Sequence, residues 1–565
     1  MSTATVKRLL VRGLPMVLFY LLIAGWRAWP LPAYMASSLP CTSLVVCRYD
    51  TIYTTWVLAY ETHVLTTAPA HLYQANIYHP AASALLYGPT SLGALPFFAP
   101  PFLMTGNPAL ALNVMYLLCV VFTALGVHLV VRHWTGWEAA GFAAGLGFFA
   151  NPWTWWAAPM WPQYGVLVYL PWVVLLAAEH LTLARGAVLL VLLVLQSLAE
   201  PVYVAPAVFA PLAVLVLYRV LRGRARAALS LLAVLGLAVL VLLPLYVGYA
   251  RIRGENPSLG RQSLWRDVWM LMFPATLSWN GLAGTGSSDA PWPVLLVPLI
   301  GAACMCFAAI PENTYRGWRH AAFWTGVGLG ISTRRLVLFD GVGINLNYLA
   351  RLGGVLPVLG AIREPVRLGI VTAVSVPMLI GLATATLASA AQRAVGPGMQ
   401  RVSRVVVLAG VAAALYAWCP RPGTFPLQAL PTLSPTMLDA IRLGRGPLLE
   451  IPVQHPERLD NIVAATFNAR AMFRSIFHWR PLVNGYSSYF PAGFPERMAW
   501  AALLPEPSAI QMLRNTTGLA TILVNLDDLD GSQRTDWDGA VTNGCPGLRL
   551  VLAEPHNLLF DVTAP

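Results

Sequence analysis

The chain contains little charge and few cysteines, and it lacks the short motifs of several large enzyme classes. Charged residues make up 11% of its 565 positions, against roughly 25% in soluble domains. No Walker loop, no Rossmann-type glycine motif and no H-E-x-x-H pair occurs, so nucleotide-driven pumping and zinc proteolysis have no support. The seven cysteines have no zinc-like spacing, and no metal site is predicted from them.

Long apolar segments take the place of these features. Hydrophobic residues make up 57% of the chain, and its mean hydropathy is +0.63. Many runs approach or exceed the ~20 residues that a helix needs to cross a bilayer. The segment VLLVLLVLQSL at 188–198 does not alternate as the strands of a membrane barrel would. We therefore predict a polytopic α-helical membrane protein.

The basic residues predict how the chain is threaded through the membrane. Nearly all are arginines, Lys7 being the one lysine, and they fall in short clusters between the apolar runs. Because Lys and Arg are enriched in cytoplasmic loops, we place every cluster inside, which gives eleven spans with the N-terminus in and the C-terminus out. The predicted spans lie near 13–36, 108–131, 136–151, 164–180, 186–199, 203–220, 227–250, 291–310, 319–332, 366–389 and 404–419.

This threading predicts a membrane domain at 1–419 and a tail, residues 420–565, on the outer face. The tail contains more Asp, Glu and Asn and has strand-like runs such as TILVNLDDL, so it is expected to form a small soluble α/β domain. The first outer loop, 37–105, is expected to carry helices that lie along the membrane interface. Residues 251–290 and 333–365 form further outer loops.

Four cysteines lie outside the apolar spans, on the side that is predicted to be oxidising. Cys41 and Cys47 could close a short loop, and Cys419 and Cys545 could join the start of the tail to its end. Free thiols are the alternative for both pairs.

Acidic and basic side chains near the predicted spans are the first candidates for function. Asp50 and Glu61 lie in the first outer loop. Glu200 interrupts the apolar stretch LAEPVYVAP, whereas Arg363 and Arg367 come just before a late span. A charged side chain at membrane depth is costly and usually faces a cavity or a partner. The structural alternatives are a solvated loop charge for Asp50, helix packing for Glu200, and anchoring of the span for the arginines.

The short outer loop NPWTWWAAPMWPQYG at 151–165 is the second candidate feature. Its candidates for contact with a sugar or an acceptor are Trp153, Trp155, Trp156, Trp161 and Gln163. An interfacial aromatic belt is the structural alternative. Combined with the acids and arginines, the loop suits one chemistry, because arginine forks bind phosphate, aromatic faces stack on sugars, and a carboxylate can accept a hydroxyl proton. We therefore predict transfer of a sugar from a lipid-linked phosphate at the outer face.

Several segments resemble a known group of membrane enzymes. They are Asp50 with Trp56, ANIYHPAASALLYG at 75–88, TGNPALALNVMYLL at 105–118, REPVRLGI at 363–370 and NGYSSYFP at 484–491. In these segments and in their order, the chain resembles the GT-C superfamily of polyprenyl-phosphate-sugar-dependent glycosyltransferases, which includes protein O-mannosyltransferases and lipid A aminoarabinose transferases. It is most similar to poorly characterised bacterial members.

The resemblance implies an inverting transferase with a GT-C fold. Asp50 matches the first-loop acid that acts as general base, and Arg363 and Arg367 fall where such enzymes hold the lipid phosphate. Asn484 and Tyr486 in the tail would gate the site or recognise the acceptor. The donor would be a polyprenyl-phosphate sugar, and no organic cofactor is implied.

One difference from the superfamily concerns the second acid. Many members carry paired acids in the first loop, but here Tyr49 precedes Asp50. Glu61 and Glu200 are the candidates for a second carboxylate, and dependence on a divalent metal is left open. An accessory subunit that has lost catalysis is therefore one alternative function, and a transporter or flippase of lipid-linked sugars is the other.

The resemblance also implies a location and partners. A multi-pass protein of the bacterial cytoplasmic membrane is expected, with its tail in the periplasm or outside the cell. Expected partners are the lipid-linked donor, membrane lipids, and a glycan, lipid or protein acceptor of the envelope, and 251–290 and the tail are candidate docking surfaces for a membrane assembly. Nucleic acid is not expected, because the net charge of +12 comes from loop arginines.

Overall fold

The computed structural model describes most of the chain. The described residues are 3–42, 46–151, 153–255, 276–277, 292–332, 335–339, 342–345, 365–395, 397–418, 424–453 and 462–563. The predicted features at Arg363 and Cys419, most of 251–290 and most of 333–365 lie outside these ranges.

Helices dominate the described residues. They are α1 (Thr3–Arg27), α2 (Asp50–Thr67), α3 (Leu95–Thr105), α4 (Pro108–Thr135), α5 (Glu138–Ala150), α6 (Leu170–Ala178), α7 (Leu183–Ala199), α8 (Val204–Leu221), α9 (Ala225–Glu255), α10 (Trp292–Ala303), α11 (Glu312–Ser332), α12 (Thr372–Ala394), α13 (Gln400–Trp418), α14 (Pro435–Leu443), α15 (Ile462–Ser475), α16 (Phe494–Ala502), α17 (Pro507–Thr517) and α18 (Gly531–Asn543). Local sequence sets their ends. Helix α4 begins where the Asn107 side chain accepts the Leu110 amide, and it ends at Gly136, whose φ of +68° favours glycine.

Four helices in the described part of the chain are long and apolar enough to cross a membrane. They are Pro108–Thr135, Val204–Leu221, Ala225–Ile252 and Arg367–Ala394. Each of the eleven predicted spans coincides with a helix, but several, such as α5, are shorter than the ~20 residues that cross a bilayer. The protein is thus a multi-pass membrane protein, and eleven crossings stay a prediction.

Short strands form three small sheets within the described ranges. They are β1 (Ser38–Pro40), β2 (Thr276–Leu277), β3 (Arg335–Phe339), β4 (Val342–Asn345), β5 (Leu427–Ala429), β6 (Leu448–Ile451), β7 (Thr521–Asn525), β8 (Leu548–Ala553) and β9 (Asn557–Val562). The largest sheet lies in the tail, in the order β6-β7-β9-β8, with β6 and β7 parallel and the other pairs antiparallel. The strands β2, β3 and β4 form a second sheet, and β1 pairs antiparallel with β5.

The tail shares its core with the first outer loop and is not separate from it. The β1–β5 pair joins the two regions. The Tyr78 amide donates to the Asn484 carbonyl oxygen at 3.0 Å. The Trp56 indole donates to the Ser475 hydroxyl at 3.2 Å, so α2 is fastened to the end of α15. One hydrophobic cluster accordingly contains residues from α2, from the membrane helices and from the tail sheet.

This packing places α2 among protein atoms. The sequence predicts helices along the membrane interface in this loop, and the position of α2 relative to the membrane stays a prediction. Four successive side chains of α2 point in different directions around the helix, and all of them are buried: Trp56, Val57, Leu58 and Ala59. Because the tail and the membrane helices together enclose α2, both of its faces are covered.

Candidate active site

Asp50 is the first residue of α2, and the segment before it is held at two points. Cys41 and Cys47 form a disulfide, and Val46–Arg48 form a 3-10 turn. The Gln428 side-chain amide donates to the Cys47 carbonyl oxygen at 2.8 Å, so the tail also contacts this turn. These contacts fix where α2 begins and therefore where its first carboxylate lies.

Two hydrogen-bond donors from distant parts of the chain meet at the Asp50 carboxylate. The Trp161 indole N–H donates to Oδ2 at 2.7 Å. The Tyr486 hydroxyl donates to Oδ1 at 2.8 Å. Hydrogen bonds to an ionised acceptor are stronger than neutral ones. The 151–165 loop and the tail therefore orient this carboxylate together.

The surroundings of Asp50 tune its protonation. The residue keeps a small exposed surface, yet it lies deep among protein atoms, and this burial raises the pKa of its carboxyl to about 6. The bonds from Trp161 and Tyr486 and the positive charge of Arg367 act in the opposite direction and limit the rise of the pKa. The carboxylate is thus ionised at neutral pH and titrates just below it, as suits a general base.

Arg367 lies over the face of the Trp161 indole, in the 3-10 turn Pro365–Val371 that leads into α12. Its guanidinium carbon lies 5.1 Å from the ring centroids of Trp161 and Tyr203 and 5.5 Å from that of Tyr164. Its Nη1 also donates to the Tyr164 hydroxyl at 3.0 Å. Stacked rings of this kind stabilise a cation away from water.

One indole therefore joins the acid to the arginine. Trp161 contacts Asp50 through its N–H edge and Arg367 through its face. The Asp50 carboxylate, which can accept a proton, and the Arg367 guanidinium, which can hold an anion, thus contact the same buried side chain. Transfer from a phosphate to a hydroxyl needs this pair of functions.

The other predicted aromatic residues are divided between two places. Trp153 contacts Tyr164 edge to face, with ring centroids 6.3 Å apart, so it lies beside the Arg367 cage. Gln163 accepts a hydrogen bond from Thr54 at 2.9 Å, one turn along α2 from Asp50. Trp155 belongs to a different cluster, where it stacks on Phe149. The Trp156 side chain lies outside the part that the structure describes.

The structure gives Glu200 a capping position at the start of α8. Its Oε2 accepts the amides of Tyr203 and Val204 at 2.6 and 2.8 Å, and Oε1 accepts that of Val202 at 3.3 Å. A carboxylate bound to the free amides of a helix N-terminus stabilises that helix. Glu200 thus fixes the helix that presents Tyr203 to Arg367, while it is placed away from Asp50.

Glu61 lies on α2, three turns after Asp50, and is fully buried. Its Oε1 accepts the Ser91 amide at 2.8 Å. Its Oε2 has no hydrogen-bond partner among the described residues. Burial raises the pKa of Glu61 to about 8, so this carboxyl is neutral at pH 7.

The predicted tail residues also differ in position. Tyr486 reaches Asp50, but the Asn484 side chain is turned into the tail. Asn484 accepts the Glu450 amide at 2.8 Å and donates to the Glu450 carbonyl oxygen at 2.9 Å. It therefore holds β6 beside the segment that carries Tyr486.

The predicted disulfide between Cys419 and Cys545 lies partly outside the described residues. Cys545 is a free thiol that donates to the Pro505 carbonyl oxygen at 3.2 Å, and Cys419 is not among the described residues.

A divalent metal does not fit the Asp50 carboxylate. The two groups that face it are hydrogen-bond donors, whereas such a cation requires several oxygen ligands. Within the described ranges, no three His, Cys, Asp or Glu side chains come together. The chemistry of Asp50 is therefore that of a carboxylate held by donors.

Comparison with known proteins finds similarity only at the level of the chain path. No family model and no curated protein matches the chain. The structure is similar to that of ArnT from Cupriavidus metallidurans bound to undecaprenyl phosphate, at 13% identity over 98% of both chains, with a TM-score of 0.47. It is also similar to the Archaeoglobus fulgidus oligosaccharyltransferase in complex with Zn and sulfate, at 12% identity over 91% of this chain and 68% of that one, with a TM-score of 0.46. A likeness this distant carries no function, which must come from the site itself.

Apart from Tyr486, sequence reasoning missed the tyrosines of this site. Tyr164 and Tyr203 enclose Arg367, and Tyr49 and Tyr53 contact the Tyr486 ring edge to face. Tyr49 and Tyr53 flank Asp50 in sequence, which was an available signal. Nothing local marks Tyr203, because only the capping of α8 by Glu200 brings it to the arginine.

Proposed function

We propose that the protein is a membrane glycosyltransferase that moves a sugar from a polyprenyl-phosphate donor to a hydroxyl acceptor on the outer face of the membrane. The observation that supports this most is the joint contact of Trp161 with the Asp50 carboxylate and the Arg367 guanidinium. A base and an anion site that contact one indole suit a displacement in which the acceptor gives up a proton and the donor loses its phosphate.

The proposed reaction is a single displacement with inversion. Asp50 takes the proton of the acceptor hydroxyl, and the acceptor oxygen forms a bond to the anomeric carbon of the sugar. The bond from that carbon to the phosphate oxygen breaks, and polyprenyl phosphate leaves. Arg367, together with Arg363 four positions earlier in the sequence, would stabilise the charge on the departing phosphate.

The remaining residues of the site would hold the reactants. Trp153 beside the arginine cage offers an aromatic face to the sugar ring, and Gln163 is positioned one turn from the base. The tail would cover the reacting groups from the outer side, since Tyr486 reaches Asp50 from there. Exclusion of water strengthens each electrostatic contact in such a site.

Donor turnover tests the proposed function directly. The purified protein in lipid nanodiscs would be incubated with a panel of polyprenyl-phosphate sugars, and the release of free polyprenyl phosphate would be followed. We expect turnover with at least one donor and a fall of ~10²-fold or more in Asp50→Asn. A well-folded wild-type protein that consumes none of the donors would contradict a transferase and favour an accessory subunit. Donor movement across the bilayer without bond cleavage would favour a flippase.

A further inference from the structure

The Tyr486 hydroxyl stands where a substrate hydroxyl would have to stand. A general base must lie about 2.6–3.2 Å from the oxygen whose proton it removes. The Tyr486 oxygen donates to Asp50 Oδ1 at 2.8 Å, and Trp161 takes the other carboxylate oxygen. A phenol is itself an alcohol-like donor, so its contact with the base has the geometry that an acceptor alcohol needs.

The phenol is presented to Asp50 by a packed segment of the tail. The Tyr486 amide donates to the Met472 sulfur at 3.1 Å. The ring of Tyr78 leaves no room for a Cβ at the preceding Gly485, so this backbone is held close against the first outer loop. The Tyr486 ring is buried.

The surroundings of the phenol indicate what could replace it. The rings of Tyr49 and Tyr53 meet it edge to face, with centroids 5.4 and 5.6 Å away. A group that takes this place must carry a hydroxyl and have flat apolar surfaces that can pack between aromatic rings. The ring of a sugar has both properties, since aromatic side chains accept its apolar faces and Asp50 its hydroxyl.

We propose that the position of the Tyr486 hydroxyl is the acceptor-hydroxyl subsite, and that Tyr486 fills it until a ring-borne acceptor hydroxyl displaces it. This rests on the proposed function. In the resting state the phenol occupies the Oδ1 side of the carboxylate and keeps water from that oxygen, so the donor is not hydrolysed. When the acceptor enters, the phenol withdraws with its own proton, and the acceptor proton passes to Asp50. If Tyr486 is removed, a water molecule can lose its proton to Asp50, attack the anomeric carbon and release free sugar and polyprenyl phosphate.

The test compares Tyr486→Ala and Tyr486→Phe with the wild type and with Tyr416→Phe. Tyr416 is exposed and lies on α13. Tyr416→Phe therefore removes a tyrosine hydroxyl away from the site and serves as the matched control. The first measurement is the rate at which a water-soluble carbodiimide and an amine label Asp50, read by peptide mass spectrometry, which requires no turnover. The second is free sugar released from each polyprenyl-phosphate sugar of the panel when no acceptor is added.

We expect labelling of Asp50 to rise several-fold in Tyr486→Ala, to a smaller extent in Tyr486→Phe, and not in Tyr416→Phe. We also expect Tyr486→Ala to release free sugar faster than the wild type while transfer to an acceptor does not rise with it. Thermal midpoints of all variants check the fold, and Tyr486→Phe keeps the ring if the alanine variant is unstable.

The outcomes separate the subsite from the transferase. Unchanged labelling in both Tyr486 variants would overturn the subsite even if the wild type transfers sugar. If labelling of Asp50 rises in the Tyr486 variants while transfer stays normal and no additional free sugar is released, Tyr486 does not protect the donor from hydrolysis. Increased labelling in a protein that consumes no donor would remove the proposed function, and the subsite with it.

Discussion

Two carboxylates on one helix have opposite surroundings. Asp50 and Glu61 are eleven positions apart on α2, which is three turns, so they share a face of the helix roughly 16 Å apart. Asp50 receives an indole N–H and a phenol O–H and has Arg367 nearby. Glu61 receives one backbone amide, and its second oxygen has no partner within the described part of the chain.

The difference teaches that burial alone does not make a base. Burial raises the pKa of both groups, to about 6 for Asp50 and about 8 for Glu61. Side-chain donors and a nearby cation keep the Asp50 carboxyl ionised at neutral pH, and without them Glu61 stays protonated. The same helix thus holds one carboxylate for chemistry and one neutral carboxyl that secures the Ser91 turn.

Replacing each carboxyl by its amide should give the largest contrast. Asp50→Asn removes the proton acceptor, so we expect donor turnover to fall by ~10²-fold or more. Glu61→Gln keeps an acceptor for the Ser91 amide and a neutral group, so we expect turnover close to that of the wild type. Initial rates of polyprenyl phosphate release from both purified variants provide the measurement. Similar losses of turnover in the two variants would contradict the different roles assigned to Asp50 and Glu61.

Removing the indole donor should have a smaller effect. Trp161→Phe keeps an aromatic face for Arg367 but loses the hydrogen bond to Asp50, so we expect turnover to fall by about tenfold. The bond favours the ionised form, so its loss raises the pKa of Asp50. Because the base must be deprotonated, the rate falls as pH decreases through about 6 in the wild type, and this midpoint should move to higher pH in the variant.

Rate profiles between pH 5 and 9 measure that shift. Trp155→Phe is the matched control, since Trp155 belongs to the separate cluster with Phe149. An unchanged midpoint in Trp161→Phe would show that the indole does not tune the carboxyl.

Stability against pH should report Glu61. Its pKa in the folded protein is about 8, against about 4.3 in an unfolded chain. Between these values the folded state holds the extra proton, so the free energy of unfolding decreases as pH rises and the decrease ends above about 8. Glu61→Gln lacks this dependence. Between pH 5 and pH 8.5 its thermal midpoint should therefore rise relative to that of the wild type by roughly a few °C, since the midpoint shift per kcal/mol becomes smaller in longer chains. Parallel curves for the two proteins would contradict a neutral Glu61.

The smallest effect is expected from the disulfide before Asp50. Replacing both Cys41 and Cys47 by serine reopens a short loop, and we expect a loss of about 2 kcal/mol in stability from loop entropy. The contacts of Trp161 and Tyr486 with the carboxylate remain, so turnover should change less than in Trp161→Phe. Cys306→Ser, which removes an exposed free thiol, is the control. If turnover falls by more than the loss of folding stability explains, the disulfide also positions the Asp50 carboxylate.

The sequence could predict the elements of this fold better than the contacts between them. Apolar runs and arginine clusters indicate the helices, since hydropathy and charge are local properties. The role of Asp50 follows from its place in the first outer loop, and that of Arg367 from the REPVRLGI segment. By contrast, four tryptophans in one loop look equivalent in sequence, and only the tertiary structure separates Trp161 from Trp155.

Other features of the site could not be predicted from local sequence patterns, because they too depend on the tertiary structure. Tyr486 is 436 positions from Asp50, and no periodicity links them. The capping role of Glu200, however, was visible in principle, because its partners are the amides of three of the next four residues. The neutral state of Glu61 depends on how completely neighbouring segments enclose α2, which composition does not encode.

The shared core of the first outer loop and the tail has a consequence for synthesis. A ribosome makes α2 early and the segment around Tyr486 late, so the apolar surface of α2 that the tail covers has no covering when it first emerges. The carboxylate at its start has no phenol partner until hundreds of further residues have been threaded and the tail has been delivered to the same side. Assembly of the site is therefore one of the last events of biogenesis, and a chain interrupted before Tyr486 is synthesised has the Asp50 carboxylate but not the phenol that contacts it.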